Sequence, residues 1–165
     1  MRVAFYTLGC KLNQAETESL ACQFSQAGFQ LVAPNDVADI YIANTCTVTH
    51  IADRKSRHWL RLARRRNPEA LIIATGCYAQ RVPQELISLA DLVLGNGEKE
   101  YLLEIVKGLS MQASSSVMAN TSPRHCEQSE AIPSLNSIAR VRSLIKIQDG
   151  CHSPCTYCIV PKVRP

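Results

Sequence analysis

Short apolar runs alternate with amphipathic segments over the first 108 residues, and this alternation limits the possible folds more than any other feature. The apolar runs predict five strands, at Arg2–Leu8, Phe29–Val32, Ile40–Ala43, Ala70–Thr75 and Leu92–Leu94. Helices are predicted from Asn13 to about Ala27, from Thr47 or Thr49 to just before Pro68, over Pro83–Leu89 and over Gly97–Gly108. Strands that alternate with helices form a parallel sheet covered on both faces. We therefore predict a doubly wound α/β domain over residues 1–108.

The first predicted helix carries a capping signal. Asn13 is the expected N-cap, and Glu16, three residues later, is its capping-box partner.

Three cysteines follow the carboxyl ends of predicted strands. Cys10, Cys46 and Cys77 come after the first, third and fourth strands. Ligands bind at this edge of open α/β sheets, and loops after neighbouring strands lie close enough to share one site. We expect a shared metal site there. The alternative is that each cysteine is an ordinary small buried residue.

A second cysteine set lies near the end of the chain. Cys151, Cys155 and Cys158 have CxxxCxxC spacing and follow a predicted strand, Val141–Ile147. Thiolates select zinc or an iron–sulfur cluster. A structural zinc needs four ligands, for which His152 is the candidate, whereas a [4Fe–4S] cluster held by three cysteines keeps one iron open. We favour the cluster.

The second predicted helix is strongly basic. Seven arginines and lysines occur within residues 54–66, and five arginines are candidates for nucleic-acid contact: Arg54, Arg57, Arg61, Arg64 and Arg65. Such side chains neutralise phosphates without reading the base sequence. The alternative is a solvated charged face.

In the rest of the chain we predict a linker over residues 109–139 and the start of a second domain over residues 140–165. Only seven residues follow Cys158, too few for an enzyme barrel, so we expect a fragment that is inactive alone. The first residues contain no signal-peptide pattern and no apolar run is long enough for a membrane span. We therefore expect a cytoplasmic protein whose cysteines are metal ligands.

Several motifs in order resemble one family. They are TLGCKLNQ at 7–14, NTCTVT at 44–49, ADRKSR at 52–57, TGCYAQ at 75–80 and GCHSPCTYC at 150–158. Together they resemble the N-terminal domain of the radical S-adenosylmethionine methylthiotransferases, followed by the first strand and cluster loop of their barrel. The first three motifs are most similar to the branch that acts on threonylcarbamoyladenosine at tRNA position 37.

This resemblance implies two [4Fe–4S] clusters, one on Cys10, Cys46 and Cys77 and one on the CxxxCxxC loop. The second would bind S-adenosylmethionine and start radical chemistry at C2 of the adenine, and the first would supply the sulfur. The implied partners are tRNA and an electron donor, and we expect a monomer. The alternatives are the branches that act on isopentenyladenosine or on ribosomal protein S12, and a non-catalytic iron–sulfur or zinc-binding α/β remnant.

Overall fold

A five-stranded sheet, all of it parallel, forms the centre of the molecule. The computed structural model describes residues 1–112, 144, 146–153 and 155–164. The strands are β1 (Arg2–Thr7), β2 (Gln30–Val32), β3 (Ile40–Thr45), β4 (Leu71–Gly76) and β5 (Leu92–Leu94). Their order is β2-β1-β3-β4-β5. The predicted α/β fold class and the five predicted strands are confirmed.

The helices follow the strands in turn. They are α1 (Lys11–Gln26), α2 (His50–Arg66), α3 (Cys77–Arg81), α4 (Gln84–Ile87), α5 (Leu102–Gln112) and α6 (Val160–Val163), with a 3₁₀ turn at Lys99–Tyr101 before α5. No helix among the described residues is long and apolar enough to cross a membrane.

Separate apolar layers cover the two faces of the sheet. One contains Phe24 of α1 and Leu102 and Val106 of α5, all fully buried against strand residues such as Ile42. The other contains Trp59 and Leu60 of α2 and Leu86 of α4, packed on Tyr41 and Ile72. Neighbouring side chains of one strand point to opposite faces, so β3 and β4 contribute to both layers. This is the doubly wound arrangement that the sequence predicts.

The predicted N-cap agrees with the structure for α2 but not for α1. Thr49 is the N-cap of α2, and its side chain accepts a hydrogen bond from the backbone N–H of Ala52 at 3.2 Å. The predicted cap of α1 is wrong: Cys10 is the N-cap and Asn13 is the third helical residue. Asn13 is fully buried, and its side-chain N–H groups bond the carbonyls of Leu8 and Thr45 instead.

Other differences concern short or terminal segments. The helix α3 was not predicted, because five residues are too few to show a helical period. The predicted strand Val141–Ile147 is wrong for its described residues: Leu144, Lys146 and Ile147 lie in no strand. The last helix of the α/β domain ends at Gln112 rather than Gly108. Residues 113–139 of the predicted linker lie outside the described residues.

Candidate metal centre at the carboxyl edge of the sheet

The strand order places the first cysteine triad along one edge. The strands β1, β3 and β4 are direct neighbours, with Thr7 paired to Asn44 and Thr45 paired to Gly76 at their carboxyl ends. Cys10 lies three residues beyond β1, and Cys46 and Cys77 directly follow β3 and β4. The chain reverses its direction of winding between β1 and β3, which is the switch point where doubly wound sheets bind ligands.

Glycines before two of the cysteines allow the chain to pack tightly at this edge. At Gly9 (φ 120°) an added Cβ would lie 2.8 Å from Cβ and 3.0 Å from Sγ of Cys46. At Gly76 (φ 102°) it would overlap the carbonyl oxygen of Thr45. Both backbone conformations favour glycine. The loop that carries Cys10 is thereby pressed against Cys46.

The three thiols differ in exposure and in partners. Cys46 and Cys77 are buried and Cys10 is exposed. Burial raises the pKa of the Cys46 thiol, a backbone hydrogen bond from Val48 lowers it, and charge on Cys77 and Cys10 raises it further. The thiols therefore influence one another electrostatically, as expected of groups that surround one crevice.

Nitrogen donors surround the Cys77 sulfur. Asn96 Nδ2 lies 3.9 Å from it and Arg164 Nε lies 3.4 Å from it. The Asn96 side-chain oxygen is buried and has no hydrogen-bond partner within the described part of the chain. Across the crevice, Cys10 Sγ lies 3.8 Å from Asn13 Oδ1. Asn96 and Arg164 are hydrogen-bond donors for a charged Cys77 sulfur, whereas the Asn13 oxygen accepts from the Cys10 thiol, and none of these neighbours is a fourth cysteine.

Three cysteine thiols are ligands of the type that iron–sulfur clusters use. Within the ranges that the structure describes, no three histidine, cysteine, aspartate or glutamate side chains lie close enough to hold one metal ion. In a four-iron cluster each cysteine binds a different iron, so the three sulfurs need not converge on one point. Three thiols around a glycine-lined crevice, two of them buried, fit that larger group.

A charged network that the sequence did not reveal adjoins the crevice. Its members are Glu16 of α1, Lys99 before α5, and Arg164, which follows α6. Burial alone would raise the pKa of the Glu16 carboxyl, but hydrogen bonds and charge from Arg164 and Lys99 outweigh it and lower the pKa. The sequence offers Glu16 only as a capping residue, and no local pattern connects it to a side chain 148 residues away.

The second cysteine triad lies nearer the surface. Cys151 and Cys158 are half-buried and Cys155 is exposed. Hydrogen bonds from the backbone and side chain of Ser153 lower the pKa of the Cys151 thiol. His152, the candidate fourth ligand of a zinc site, is exposed. A loop with accessible thiols and one lowered pKa is suited to metal binding.

The five predicted RNA-binding arginines divide into two groups. Arg57 bonds Glu85 at 2.7 Å and the Tyr78 hydroxyl, and Arg64 bonds Asp91 at 2.5 Å. Both are therefore neutralised within the domain. The other three, Arg54, Arg61 and Arg65, are exposed on α2. Together with the exposed His58 they lie three or four residues apart and so form one stripe along the helix. Arg54, His58 and Arg61 of this stripe border an open groove of about 810 Å³ that Tyr6 and Trp59 also line.

Known proteins match nearly all of this chain. A family profile described as "Uncharacterized protein family UPF0004" matches residues 2–95. A threonylcarbamoyladenosine tRNA methylthiotransferase of Aquifex aeolicus is 43% identical over 99% of the chain, and one of Bacillus subtilis is 38% identical over 98%. A ribosomal protein uS12 methylthiotransferase of Desulforudis audaxviator is 32% identical over 99%. The chain spans only 36–40% of the length of these relatives.

The family match covers the whole sheet with its three cysteine-bearing loops, and the relatives extend the similarity through the CxxxCxxC loop. The resemblance seen in the motifs is therefore confirmed. The chain belongs to the methylthiotransferase family, through the domain described as UPF0004.

Proposed function

We propose that this chain is the N-terminal part of a tRNA methylthiotransferase that modifies threonylcarbamoyladenosine. The observation that carries the proposal is the arrangement of Cys10, Cys46 and Cys77 along the carboxyl edge of three adjacent strands, at the switch point of the sheet. Two relatives that match 98–99% of the chain carry this activity in their names. The complete reaction belongs to a protein more than twice as long.

Six cysteines would hold the two iron–sulfur clusters of this enzyme. The first cluster would lie on Cys10, Cys46 and Cys77, and the second on Cys151, Cys155 and Cys158. When bound, the clusters and S-adenosylmethionine supply the radical and sulfur chemistry that no side chain provides. An external electron donor is needed to reduce the second cluster.

The residues of this chain prepare the first site. Burial keeps water from the sulfurs of Cys46 and Cys77. Donors on Asn96 and Arg164 offset the negative charge of the Cys77 thiolate, and Gly9 keeps the crevice narrow at Cys46. Such surrounding contacts tune iron–sulfur sites.

The exposed stripe of α2 is the proposed contact with tRNA. Arg54, Arg61 and Arg65 are available for phosphates, whereas Arg57 and Arg64 already pair with carboxylates. Arg54 lies near the start of the helix that follows the Cys46 loop, so RNA bound along the stripe would extend toward the carboxyl edge of the sheet. This placement supports nucleic acid over an idle charged surface.

The proposal includes a division of the chain. Residues 1–112, up to the end of α5, are proposed as the α/β domain, residues 113–139 as the linker, and residues 140–165 as the start of the radical S-adenosylmethionine domain. The protein is proposed to act in the cytoplasm as a monomer.

Metal analysis tests the proposal directly. After anaerobic reconstitution, we expect about eight irons and eight sulfides in the parent chain, and about four of each after replacement of either cysteine triad by alanine. Zinc without sulfide would refute the cluster proposal and favour a zinc-binding module.

The substrate requires a cellular test. Nucleosides of tRNA from cells with and without the full-length protein are compared by mass spectrometry. Loss of the methylthio group from threonylcarbamoyladenosine supports the proposal. Loss from isopentenyladenosine, or from ribosomal protein S12, would assign another branch; the uS12 relative makes the latter worth measuring.

A further inference from the structure

The side chain of Arg164 enters the crevice of the first cysteine triad from the far end of the chain. It is 5% exposed. Its Nε donates to Cys77 Sγ at 3.4 Å and its Nη2 donates to Asn13 Oδ1 at 3.0 Å. Arg164 thus connects the cysteine after β4 with the residue that contacts the Cys10 thiol on the other side. It follows Cys158, the last cysteine of the second triad, by six residues.

Carboxylates hold the guanidinium in this position. Glu16 accepts bonds from Nη1 at 2.6 Å and from Nη2 at 2.9 Å, and Asp149 accepts one from Nη1 at 2.5 Å. Glu16 also pairs with the buried ammonium of Lys99 at 2.6 Å. A planar guanidinium can satisfy several acceptors at once in fixed directions, which a lysine cannot do.

The backbone beside Arg164 closes the second cysteine loop at its base. The carbonyl of Arg164 lies directly against Gly150, the residue before Cys151. The carbonyl of Val163 accepts a bond from Asn96 Nδ2 at 2.7 Å, and the same Asn96 nitrogen faces Cys77. The two ends of the loop therefore meet at the point where the loop contacts the α/β domain.

Two buried cations face this site against one buried carboxylate. Arg164 and Lys99 carry positive charge, Glu16 carries negative charge, and Asp149 is 42% exposed in its side chain. Three thiolates around a cluster add negative charge, so the cations are placed to balance a loaded site. Hydrogen bonds to sulfur and nearby charge are among the factors that set cluster potentials.

We propose that Arg164 is a positioning residue that docks the Cys151–Cys158 loop on the Cys10, Cys46 and Cys77 crevice and donates a hydrogen bond to the Cys77 sulfur. This rests on the clusters of the proposed function. Docking by this contact gives the two cysteine sites a fixed relative position, so that a substrate activated at the second site would lie within reach of sulfur held at the first. The bond to sulfur, together with the positive charge, makes the first cluster easier to reduce.

The test compares Arg164→Gln with Arg164→Lys, which keeps the charge, and with Lys162→Gln, which removes an exposed charge from the same segment. The first readout is amide hydrogen exchange of the metal-free full chain. Hydrogen bonds to charged groups are strong enough that Arg164→Gln should speed exchange at residues 158–164 about tenfold. Lys162→Gln should leave exchange unchanged there.

The second readout is the midpoint potential of the first cluster. EPR measures it in a chain whose Cys151, Cys155 and Cys158 are replaced by alanine, so that only the first cluster can form. We expect Arg164→Gln to lower the potential, Arg164→Lys to restore most of it, and Lys162→Gln to have no effect. A contact that only stabilises the fold would not move the potential in this order.

The outcomes separate this inference from the proposed function. If the parent chain takes up no iron and sulfide, the proposed clusters are refuted, and the proposed effect of Arg164 on the first cluster is refuted as well. A parent that takes up the cluster, with variants whose exchange or potential does not change, overturns the role of Arg164 and leaves the clusters intact. Circular dichroism identifies a variant that fails to fold. If Arg164→Gln does not fold, the exchange rate and the midpoint potential of Arg164→Lys decide whether Arg164 has the proposed role.

Discussion

Replacing Glu16 with glutamine should destabilise the α/β domain. The Glu16 side chain is 11% exposed and lies between two buried cations, Lys99 at 7% and Arg164 at 5%. Glutamine keeps the shape and one acceptor oxygen but removes the charge. Arg164 retains Asp149, whereas among the described residues Lys99 has no second carboxylate within ion-pair distance.

The magnitude follows from the cation that is left behind. Removing one partner of a buried ion pair costs about 3–5 kcal/mol, because the other charge stays buried without compensation. We take the lower end, about 3 kcal/mol, because the glutamine oxygen still accepts a bond from Lys99. For a domain of this size that is a fall of roughly 10 °C in Tm. Urea denaturation at pH 7 measures it, with the slope m as a check on two-state unfolding.

The pH dependence gives a second signature. The pKa of Glu16 is lowered from its ordinary 4.5 in the folded chain, so its stabilising contribution is complete above that pH and is lost as the pH falls through the lowered value. The difference in the free energy of unfolding between the parent and Glu16→Gln should therefore become smaller in acid. Glu104→Gln, at an exposed position, is the matched control and should change stability by less than about 0.5 kcal/mol.

A second substitution separates charge from packing. If the buried ammonium causes the loss, Lys99→Met in the Glu16→Gln background should recover part of the stability, since an apolar side chain has no charge to desolvate. A Glu16→Gln chain that unfolds at the same urea concentration as the parent would refute the assignment of this network. So would a double variant that is less stable than Glu16→Gln alone.

Three further predictions follow from backbone and surface geometry. Gly76→Ala should destabilise by at least about 2 kcal/mol in thermal unfolding, because φ is 102° and the new Cβ meets backbone oxygen; an unchanged Tm would contradict this. Thr49→Ala removes the side-chain cap of α2 and should cost about 1 kcal/mol in urea denaturation, while Thr49→Ser should cost little. Replacing Arg61 and Arg65 by glutamine should weaken tRNA binding and reduce the salt slope by about 2, whereas Arg64→Gln should leave the slope unchanged because that side chain is paired with a carboxylate.

Most of the fold follows from local patterns in the sequence. The five strands and the helix α2 with its Thr49 cap are visible as apolar runs and as a periodic segment with a capping residue. Asn13 shows where such reading fails, because the same residue type that caps helices also bonds the carbonyls of neighbouring strands when it is buried. Tertiary contacts decide which of these roles the residue takes, and a short stretch of sequence does not include the residues that make those contacts.

The candidate site divides in a similar way. Local patterns are enough to indicate the α/β class, the position of each cysteine of the first triad after a strand and the spacing of the second triad, because these depend on residues close together in the chain. The folded structure is needed to show that β1, β3 and β4 are neighbours, that Arg57 and Arg64 pair with carboxylates, and that Arg164 lies beside Cys77. Strand order and buried ion pairs depend on contacts between residues tens to more than a hundred positions apart, and their energies are set by packing and desolvation in the folded state.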